Sequence, residues 1–147
     1  MAENALAPLA AVLGIRSGSK VSVINPPAGF VQRLNPLPDG VEFLISSRTG
    51  LDVIMFFTKR PEDLVSRLPA LSRAMAVTGG IWICWRKEEK QGLLSEDFIR
   101  QAALEIGLID NKRCQIDEAW SALRLIWKPR GRVEKPRPRK SSSGAQA

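Results

Sequence analysis

The sequence has 147 residues, a net charge of +7 at pH 7 and no histidine. The length allows one domain with an appended tail, and the lack of histidine excludes a Ser-His-Asp triad, an HExxH zinc helix and a facial triad of iron ligands. No catalytic residue or metal site is predicted. Because the cysteines are widely spaced and no apolar run approaches the ~20 residues of a membrane span, we expect a cytoplasmic protein with reduced thiols.

The positive charge is concentrated at the carboxyl end of the chain. From Lys128 onward there are seven Lys or Arg residues and one acid, Glu134, so this segment carries +6 and leaves +1 for residues 1–127. The segment is rich in Pro, Arg, Lys and Ser, and it cannot bury enough apolar surface to offset the entropy cost of ordering. We therefore predict a folded domain over residues 1–127 and a disordered basic tail over residues 128–147.

The amino-terminal third contains short elements separated by turns. Apolar spacing predicts a helix over residues 5–13, and alternation predicts a strand at Lys20–Ile24 that ends at Asn25-Pro26-Pro27. A short helix over residues 28–34 and a strand over residues 41–46 follow. Only four residues separate the latter strand from its successor, which is too few for a parallel crossover. It is therefore either antiparallel to its successor or much shorter than the pattern indicates.

The central stretch predicts a βαβ unit. Leu51–Phe57 is an apolar run without alternation, which is typical of a strand covered on both faces. A helix follows over residues 60–76, where Pro69 predicts a kink or two short helices. Gly79-Gly80 then predicts a turn before a second apolar strand over residues 81–85. Two such strands joined by a helix indicate parallel pairing in a sheet covered by helices.

The last part of the domain predicts a helix and a hairpin. Ser95 is a suitable N-cap for a helix that ends at Gly107. Strands are predicted over residues 112–116 and 122–127, joined by a tight connection. The inner face of the helix is predicted to consist of Phe98, Ala102, Ala103 and Ile106. The fold class is therefore α/β, a single three-layer domain with a mostly parallel sheet and an antiparallel C-terminal hairpin.

Three segments are similar to the layout of S-adenosylmethionine-dependent methyltransferases. They are residues 16–24, the Leu-Asp-Val-Ile-Met-Phe run from Leu51, and the Val-Thr-Gly-Gly-Ile-Trp-Ile run from Val77. In that family a first strand with a glycine-rich loop precedes a D-V-V strand and a p-G-G-x-l-x-i strand. The resemblance implies a reduced methyltransferase-like architecture over most of residues 12–127, and it is specific only from Leu51 on.

Two features of the methyltransferases have no counterpart in this chain. Their glycine-rich loop approaches the methionine end of the cofactor, whereas this chain has Asn25-Pro26-Pro27 and a single glycine, Gly29. Their second strand ends in an acid that grips the ribose hydroxyls, and residues 43–47 contain none. No cofactor is therefore predicted. S-adenosylmethionine is expected only if the chain is a degenerate or reduced methyltransferase.

Other segments resemble a family of short bacterial proteins known only as a domain of unknown function. They include Gly-Gly-Ile-Trp-Ile-Cys-Trp over residues 79–85, Ala-Leu-Glu-Ile-Gly-Leu-Ile-Asp-Asn-Lys over residues 103–112, and Asp-Glu-Ala-Trp-Ser-Ala-Leu-Arg over residues 117–124. The resemblance implies a single-domain cytoplasmic protein. It implies no reaction.

A candidate ligand site follows from the predicted sheet. Ligands of open α/β sheets bind beyond the carboxyl ends of the strands. Lys59, Arg86 and Lys87 would there face Asp117 and Glu118, so the edge could hold a polar ligand. The alternative is a solvated loop face with charges of both signs. The candidate cofactor-binding residues are Asn25, Gly29, Trp85 and Glu118.

Two single residues carry alternative interpretations. Asp52 lies inside an apolar strand, where it either caps a neighbouring backbone group at the strand start or serves as a functional acid, and we favour the cap. Trp120 follows two acids in a predicted turn. It is the tryptophan most suited to a stacking role, whereas the others are expected to pack in the core or at its edge.

The tail contains a second resemblance. Its Lys-Pro-Arg-Gly-Arg run is similar to the centre of an AT-hook, which lays arginines into the narrow minor groove of A·T-rich DNA. Val133 stands where that motif has its last proline, and a solubilising tail is the alternative. The predicted nucleic-acid contacts are Lys128, Arg130, Gly131, Arg132, Lys135, Arg137, Arg139 and Lys140.

Three functions are compatible with the sequence. The favoured one is a noncatalytic α/β domain that binds a protein or small molecule at the strand ends, with a basic tail that attracts nucleic acid or another polyanion. The second is a degenerate or reduced S-adenosylmethionine-dependent methyltransferase. The third is a DNA-associated protein that acts through its AT-hook-like tail. No membrane partner is expected.

Overall fold

The computed structural model describes residues 8–44, 49–86 and 94–129. None of the helices in these ranges has the length and apolar content that crossing a membrane requires. The elements in chain order are α1 (Leu9–Val12), β1 (Lys20–Ile24), a 3₁₀ helix (Val31–Leu34), β2 (Glu42–Phe43), β3 (Leu51–Phe57), α2 (Pro61–Ala74), β4 (Met75–Arg86), α3 (Glu96–Glu105), β5 (Leu108–Gln115) and β6 (Trp120–Trp127).

The six strands form one sheet in the order β2-β1-β3-β4-β6-β5. β1 pairs in parallel with β2 and with β3, and β3 pairs in parallel with β4. β6 is antiparallel to both β4 and β5. The predicted α/β class, with a mostly parallel sheet and an antiparallel C-terminal hairpin, is confirmed. The carboxyl ends of β1, β3 and β4 therefore meet at one edge of the sheet, together with the turn between β5 and β6.

A hydrophobic core lies on each face of the sheet. On one face α2 buries Leu64, Leu68 and Leu71, and α3 buries Ile99 and Ala103. On the other face the cover that the structure describes is shorter and consists of α1, its following loop and the 3₁₀ helix. The buried residues of that cover are Ala10, Leu13, Ile15, Phe30 and Leu34, and they pack against Val53, Met55, Trp82 and Cys84 of the strands.

The sequence left two alternatives for β2, antiparallel pairing with β3 or a much shorter strand. β2 is parallel to β1, so antiparallel pairing with β3 is wrong, and the much shorter strand is the correct alternative. The short connection suffices because Glu42 pairs with Lys20 at the start of β1, close to the edge where β3 also begins. No return along the length of the sheet is needed, so the usual minimum length of a crossover does not apply.

The Gly79-Gly80 turn is also wrong, because α2 passes directly into β4 and both glycines lie within the strand. A Cβ atom at Gly79 would lie 2.7 Å from the carbonyl oxygen of Leu51, where the pairing of β3 and β4 shifts register. Glycine within a strand often marks such a close approach of two backbones. α2 itself runs through Pro69 as one helix rather than two.

The helix α3 begins as predicted, since the Ser95 hydroxyl accepts a hydrogen bond of 3.1 Å from the Phe98 N–H. Its buried face is shifted from the predicted one. Ile99 and Ala103 are buried, whereas Phe98 is exposed to 37%. The apolar residues are dense enough on this helix to permit two neighbouring faces, and packing against the sheet selects the one centred on Ile99.

Candidate functional site

A cavity of about 470 Å³ opens at the carboxyl ends of β1, β3 and β4, and we call it the strand-end cavity. The loop after β1 forms one wall, the first turn of α2 another, and the beginning of β6 a third. Its polar and aromatic lining includes Asn25, Thr58, Lys59, Arg60, Arg86 and Trp120. Its volume lies within the range of small-molecule sites, and its position is the one at which open α/β sheets bind ligands.

The loop after β1 enters the cavity with an unusual backbone. Asn25 has a φ of +58°, and it is the one non-glycine residue with positive φ in the described part of the chain. Asparagine tolerates the left-handed region better than most residues do, but the conformation still costs free energy. Pro26 and Pro27 follow and lack N–H groups, so the loop presents side chains and carbonyl oxygens rather than a row of backbone donors.

Thr58 lies at the end of β3 and lines the cavity. Its backbone N–H donates to the carbonyl of Cys84 on β4 over 3.0 Å, which fixes the residue between the two strands. Its side chain is buried, yet Oγ1 has no hydrogen-bond partner among the described residues. A buried hydroxyl without a partner is costly, so it requires an explanation such as a bound ligand or water.

An aromatic wall supports the other side of the cavity. Trp120 packs edge-on against Phe57, with ring centroids 5.1 Å apart, and Phe57 in turn contacts Phe30 at 4.8 Å. The Arg86 guanidinium lies 5.7 Å from the centroid of the Trp120 ring, within the range of a cation–π contact. Trp120 is the first residue of β6 rather than part of the turn, and it is buried in the core while it lines the cavity. Its predicted stacking role stays a prediction.

The charges around the cavity are mostly positive. Among the described residues, Lys59, Arg60 and Arg86 line it, and Asp63 is the one acidic lining residue. Arg60 makes only a loose ion pair with Glu62, at 3.9 Å between exposed side chains. The lining therefore carries a net charge of +2, which favours a ligand with a negative group.

Asp117 has a structural role beside the cavity. Its Oδ1 accepts hydrogen bonds from the N–H groups of Ala119 and Trp120, at 2.8 and 2.9 Å, so it closes the turn between β5 and β6. Its Oδ2 accepts from Arg33. Burial alone would raise the pKa of Asp117, but these hydrogen bonds from Trp120, Ala119 and Arg33 together hold it below the usual value.

The predicted cofactor-binding residues are not all brought together. Asn25 lines the cavity, whereas Gly29, Trp85 and Glu118 are not among its lining residues. Trp85 packs into the core on the opposite face of the sheet, because residues alternate between faces along β4. Glu118 lies exposed in the β5–β6 turn. Of the predicted charged residues, Lys59 and Arg86 line the cavity, and Lys87 falls outside the described residues.

Thr58 and Phe57 were not singled out by the sequence. A threonine that ends an apolar strand is too common to signal a site, and its missing hydrogen-bond partner is visible only in the structure. Asp52 was interpreted correctly as a cap, since its Oδ2 accepts a hydrogen bond of 2.9 Å from the Lys20 N–H at the start of β1.

Comparison with known proteins identifies the family. The model of the family described as "Protein of unknown function (DUF3052)" matches residues 46–129, more than half of the chain. The chain belongs to the DUF3052 family. The match includes the strands β3 to β6, and with them most of the strand-end cavity. No curated protein matches the sequence.

Solved structures similar to this DUF3052 protein include S-adenosylmethionine-dependent methyltransferases. One from Aquifex aeolicus is 14% identical with a TM-score of 0.58 over 78% of this chain and 85% of its own. The DhpI–SAH complex is 14% identical with a TM-score of 0.57 over 86% and 85%. A putative type 11 methyltransferase from Sulfolobus solfataricus is 14% identical with a TM-score of 0.53 over 82% and 90%. At this identity the likeness shows a methyltransferase-like fold.

The DUF3052 residues at the strand ends do not fit S-adenosylmethionine. The loop after β1 carries Asn25 and two prolines in place of a glycine-rich turn, so its backbone cannot approach a ligand closely. No Asp or Glu occurs between Glu42 and Asp52, and therefore no acid follows β2 to hold a ribose. The fold is shared with the methyltransferases, but the two determinants of their cofactor site are missing.

The predicted nucleic-acid contacts lie almost wholly outside the described residues. Lys128 is described; it is exposed, and its N–H donates to the Gly107 carbonyl over 3.0 Å. The remaining contacts, from Arg130 to Lys140, fall outside the described ranges, as do residues 130–147 of the predicted tail. The AT-hook resemblance stays a prediction.

Proposed function

We propose that this DUF3052 protein is a noncatalytic binding domain on a methyltransferase-like fold. Its ligand is a small organic anion with an aromatic or apolar part, bound in the strand-end cavity. The observation that carries the proposal is the strand-end cavity, whose described lining combines a net positive charge with an aromatic wall. Thr58, whose buried Oγ1 has no partner among the described residues, belongs to the same lining.

The lining supplies a complementary surface for such a molecule. Lys59 and Arg86 provide cationic donors for a carboxylate or phosphate, and an arginine can bind either group with two parallel hydrogen bonds. Trp120 and Phe57 provide an apolar wall. Thr58 adds a hydroxyl that can donate to the ligand and thereby recover the hydrogen bond that the protein alone does not make.

The same lining argues against catalysis. General acid–base chemistry needs a titratable group close to a reacting atom, and nucleophilic catalysis needs a hydroxyl or thiol activated by a neighbouring base. In the part of the chain that the structure describes, Asp63 is the one carboxylate of the lining, and the Thr58 hydroxyl has no hydrogen-bond partner that could act as a base. Cys84 is fully buried, and burial raises its pKa well above the usual value, so this thiol is unreactive.

A ligand-observed NMR screen of the full-length protein tests this proposal. The panel contains aromatic carboxylates and nucleotides together with uncharged analogues of the same shape. We expect hits among the anions only, and a loss of affinity of at least tenfold in Arg86→Gln and Thr58→Val. Arg73→Gln removes an equal charge from an exposed position outside the cavity and should bind like the wild type. Hits that bind Arg86→Gln and the wild type equally would refute the site.

A second candidate function is supported by the methyltransferase-like fold. It is that of a reduced S-adenosylmethionine-dependent enzyme. Calorimetry with S-adenosylmethionine and S-adenosylhomocysteine separates the two functions. We expect no heat of binding at millimolar ligand, since the glycine loop and the ribose acid are missing. Saturable binding that Thr58→Val abolishes would instead support the enzyme.

The tail adds a second proposed activity, loose binding of polyanions such as DNA. We base this on its charge of +6 and its Pro-Arg-Gly-Arg run. The test compares the wild type with Arg130→Gln/Arg132→Gln on A·T-rich and G·C-rich duplexes over a range of salt. An AT-hook predicts a preference for A·T-rich DNA that the double variant loses. Equal affinity for both duplexes would leave only release of counterions.

A further inference from the structure

A second cavity, of about 320 Å³, opens at the opposite edge of the sheet, near the amino ends of β1 and β3. We call it the amino-end cavity. Its volume is at the lower end of the range of sites for small molecules. Its polar lining consists of Arg16, Ser19, Asp52, Thr78, Lys112 and Arg124.

Two of its cations are held directly opposite each other. Lys112 on β5 is the register partner of Arg124 on β6, so their side chains leave the same face of the hairpin. Like charges in this relationship destabilise a sheet. Arg16 brings a third positive charge from the loop before β1. Burial, and after it the charge of Arg16, lowers the pKa of Arg124.

The protein supplies little negative charge in return. Asp52 is the one acidic residue among the described residues of the lining, and its Oδ2 already accepts the hydrogen bond from the Lys20 N–H. Neither Arg16 nor Lys112 nor Arg124 forms a salt bridge within the described ranges of the chain. The lining therefore keeps a net charge of +2 on the protein alone.

The Arg124 side chain is partly buried, and its guanidinium lies against β4. A Cβ atom at Gly80 would lie 2.5 Å from Nε and 2.7 Å from Cζ of Arg124, so the guanidinium rests against the bare backbone of β4. Only glycine leaves this space.

Trp82 gives the amino-end cavity a rigid wall. Its indole is fully buried, and Nε1–H donates to the Leu13 carbonyl over 2.9 Å. This hydrogen bond ties β4 to the loop that carries Arg16. The loop is fixed further by the Arg16 N–H, which donates to the Ser19 hydroxyl over 2.9 Å. The Trp82 hydrogen bond and the pairing of β4 with β6 and of β6 with β5 connect the backbone segments that carry the three cations.

We propose that the amino-end cavity binds a phosphate group, either inorganic phosphate or the phosphate of a small phosphomonoester, between Arg124, Lys112 and Arg16. A phosphate dianion neutralises the net charge of the lining and relieves the repulsion across the β5–β6 pair. Arginine offers the planar, bidentate geometry that phosphate oxygens prefer. The hydroxyls of Ser19 and Thr78 lie in the same lining for the rest of a phosphomonoester.

Titrations of the full-length protein followed by NMR test the proposal. The probes are inorganic phosphate and ribose 5-phosphate, with ribose as the uncharged control, at 0.15 M NaCl to screen loose charge effects. The Trp82 indole N–H is the reporter, assigned with Trp82→Phe. We expect saturable shifts with both phosphates and none with ribose. Tenfold tighter binding of ribose 5-phosphate would identify a phosphomonoester, and equal binding would identify free phosphate.

The variants separate the site from general charge. Arg124→Gln and Lys112→Gln should each weaken phosphate binding at least tenfold. Arg73→Gln, which removes one exposed charge elsewhere, should change it less than twofold. Gly80→Ala keeps every charge but displaces the guanidinium, so it should also weaken binding if it folds. Wild-type affinity in Arg124→Gln and Lys112→Gln, or an equal loss in Arg73→Gln, would overturn the proposal.

This site is independent of the strand-end cavity. Arg86→Gln and Thr58→Val alter that cavity at the other edge of the sheet, and they should leave phosphate binding at the amino-end cavity unchanged. A loss of phosphate binding in those two variants, with none in Arg124→Gln, would place the anion at the strand-end cavity and refute the assignment.

Discussion

Arg33 and Asp117, which are 84 residues apart in the chain, are joined by a hydrogen bond of 2.9 Å between Nη1 and Oδ2. A second bond of 3.2 Å runs from Arg33 Nη2 to the Ile116 carbonyl. The 3₁₀ helix that follows the β1 loop is thereby connected to the turn between β5 and β6. Asn25 lies in the loop before this helix, and Trp120 is the first residue after the turn, so the pair helps to hold opposite walls of the strand-end cavity together.

The stability contributed by this pair can be measured with a double-mutant cycle of Arg33→Met and Asp117→Asn. The side chains are 44% and 34% exposed, so we expect a coupling of only about 0.5–1 kcal/mol in the free energy of unfolding. The matched control is Arg60→Met with Glu62→Gln, a looser pair at 3.9 Å that is 65% and 71% exposed. That pair should show coupling near zero in urea unfolding. Equal coupling in both cycles would contradict the structural role of Arg33.

Acid should weaken the contribution of Asp117. Its pKa in the folded protein lies below the value of about 3.9 that an aspartate has in an unfolded chain. A depressed pKa stabilises the fold above the unfolded value, and that stabilisation is lost as the pH falls through the folded pKa. The difference in unfolding free energy between wild type and Asp117→Asn should therefore be constant from pH 7 to about 5 and shrink below about pH 4. Urea titrations across this range check it, and a difference that grows on acidification would be contrary to the prediction.

Acid should also weaken the contribution of Glu96 to stability, independently of Asp117. Its hydrogen bond with Arg113, and further its bond with Arg100, hold the pKa of this carboxyl below the usual value. These contacts connect α3 to β5. Glu96→Gln should show the same loss of its stability difference in acid as Asp117→Asn shows.

The fold could be predicted where one strong pattern decided an element. The parallel pairing of β3 and β4 follows from two buried apolar runs joined by a helix, and Ser95 capped its helix as expected. The positions of the glycines predicted the elements less well. Gly79-Gly80 looks like a turn in the sequence, but these glycines serve two contacts across the sheet, with Leu51 and with Arg124. Such contacts depend on register, which the sequence of one strand does not contain.

The sequence predicted at which edge of the sheet the site lies, but not all of the residues that form it. The carboxyl edge of the sheet was the expected place, and Asn25, Lys59 and Arg86 lie at the cavity that opens there. Trp85 was assigned to the same edge because it ends the strand, yet the alternation of β4 turns it to the other face. The amino-end cavity was not predicted at all, because its cations come from three segments that are neighbours only after the hairpin has paired.

The two kinds of glycine should respond differently to substitution. At Gly79 a Cβ would meet backbone oxygens of Leu51 and Asp52 at 2.7 and 2.9 Å, so Gly79→Ala should cost about 1–3 kcal/mol, as overpacking does. At Gly18 nothing lies within 4 Å, and the constraint is its φ of +78°. Gly18→Ala should cost about 1 kcal/mol, and Gly18→Asn less, because asparagine adopts the left-handed region more readily. Asparagine should not rescue Gly79. Urea unfolding of the four variants measures this, and rescue at both positions would point to backbone strain rather than a clash.

Replacing Thr58 with valine tests whether the Thr58 hydroxyl lowers the free energy of unfolding and serves ligand binding instead. Valine has nearly the same shape and removes the buried hydroxyl that has no partner among the described residues, so Thr58→Val should raise the free energy of unfolding by about 1 kcal/mol or more. Thr78→Val, at an exposed strand position, should change it by less than about 0.5 kcal/mol. A destabilised Thr58→Val protein would mean that the hydroxyl already has a partner, such as a bound water. If Thr58→Val is more stable and also binds the organic anion more weakly, the hydroxyl is retained for the ligand, because an apolar side chain would serve the fold better.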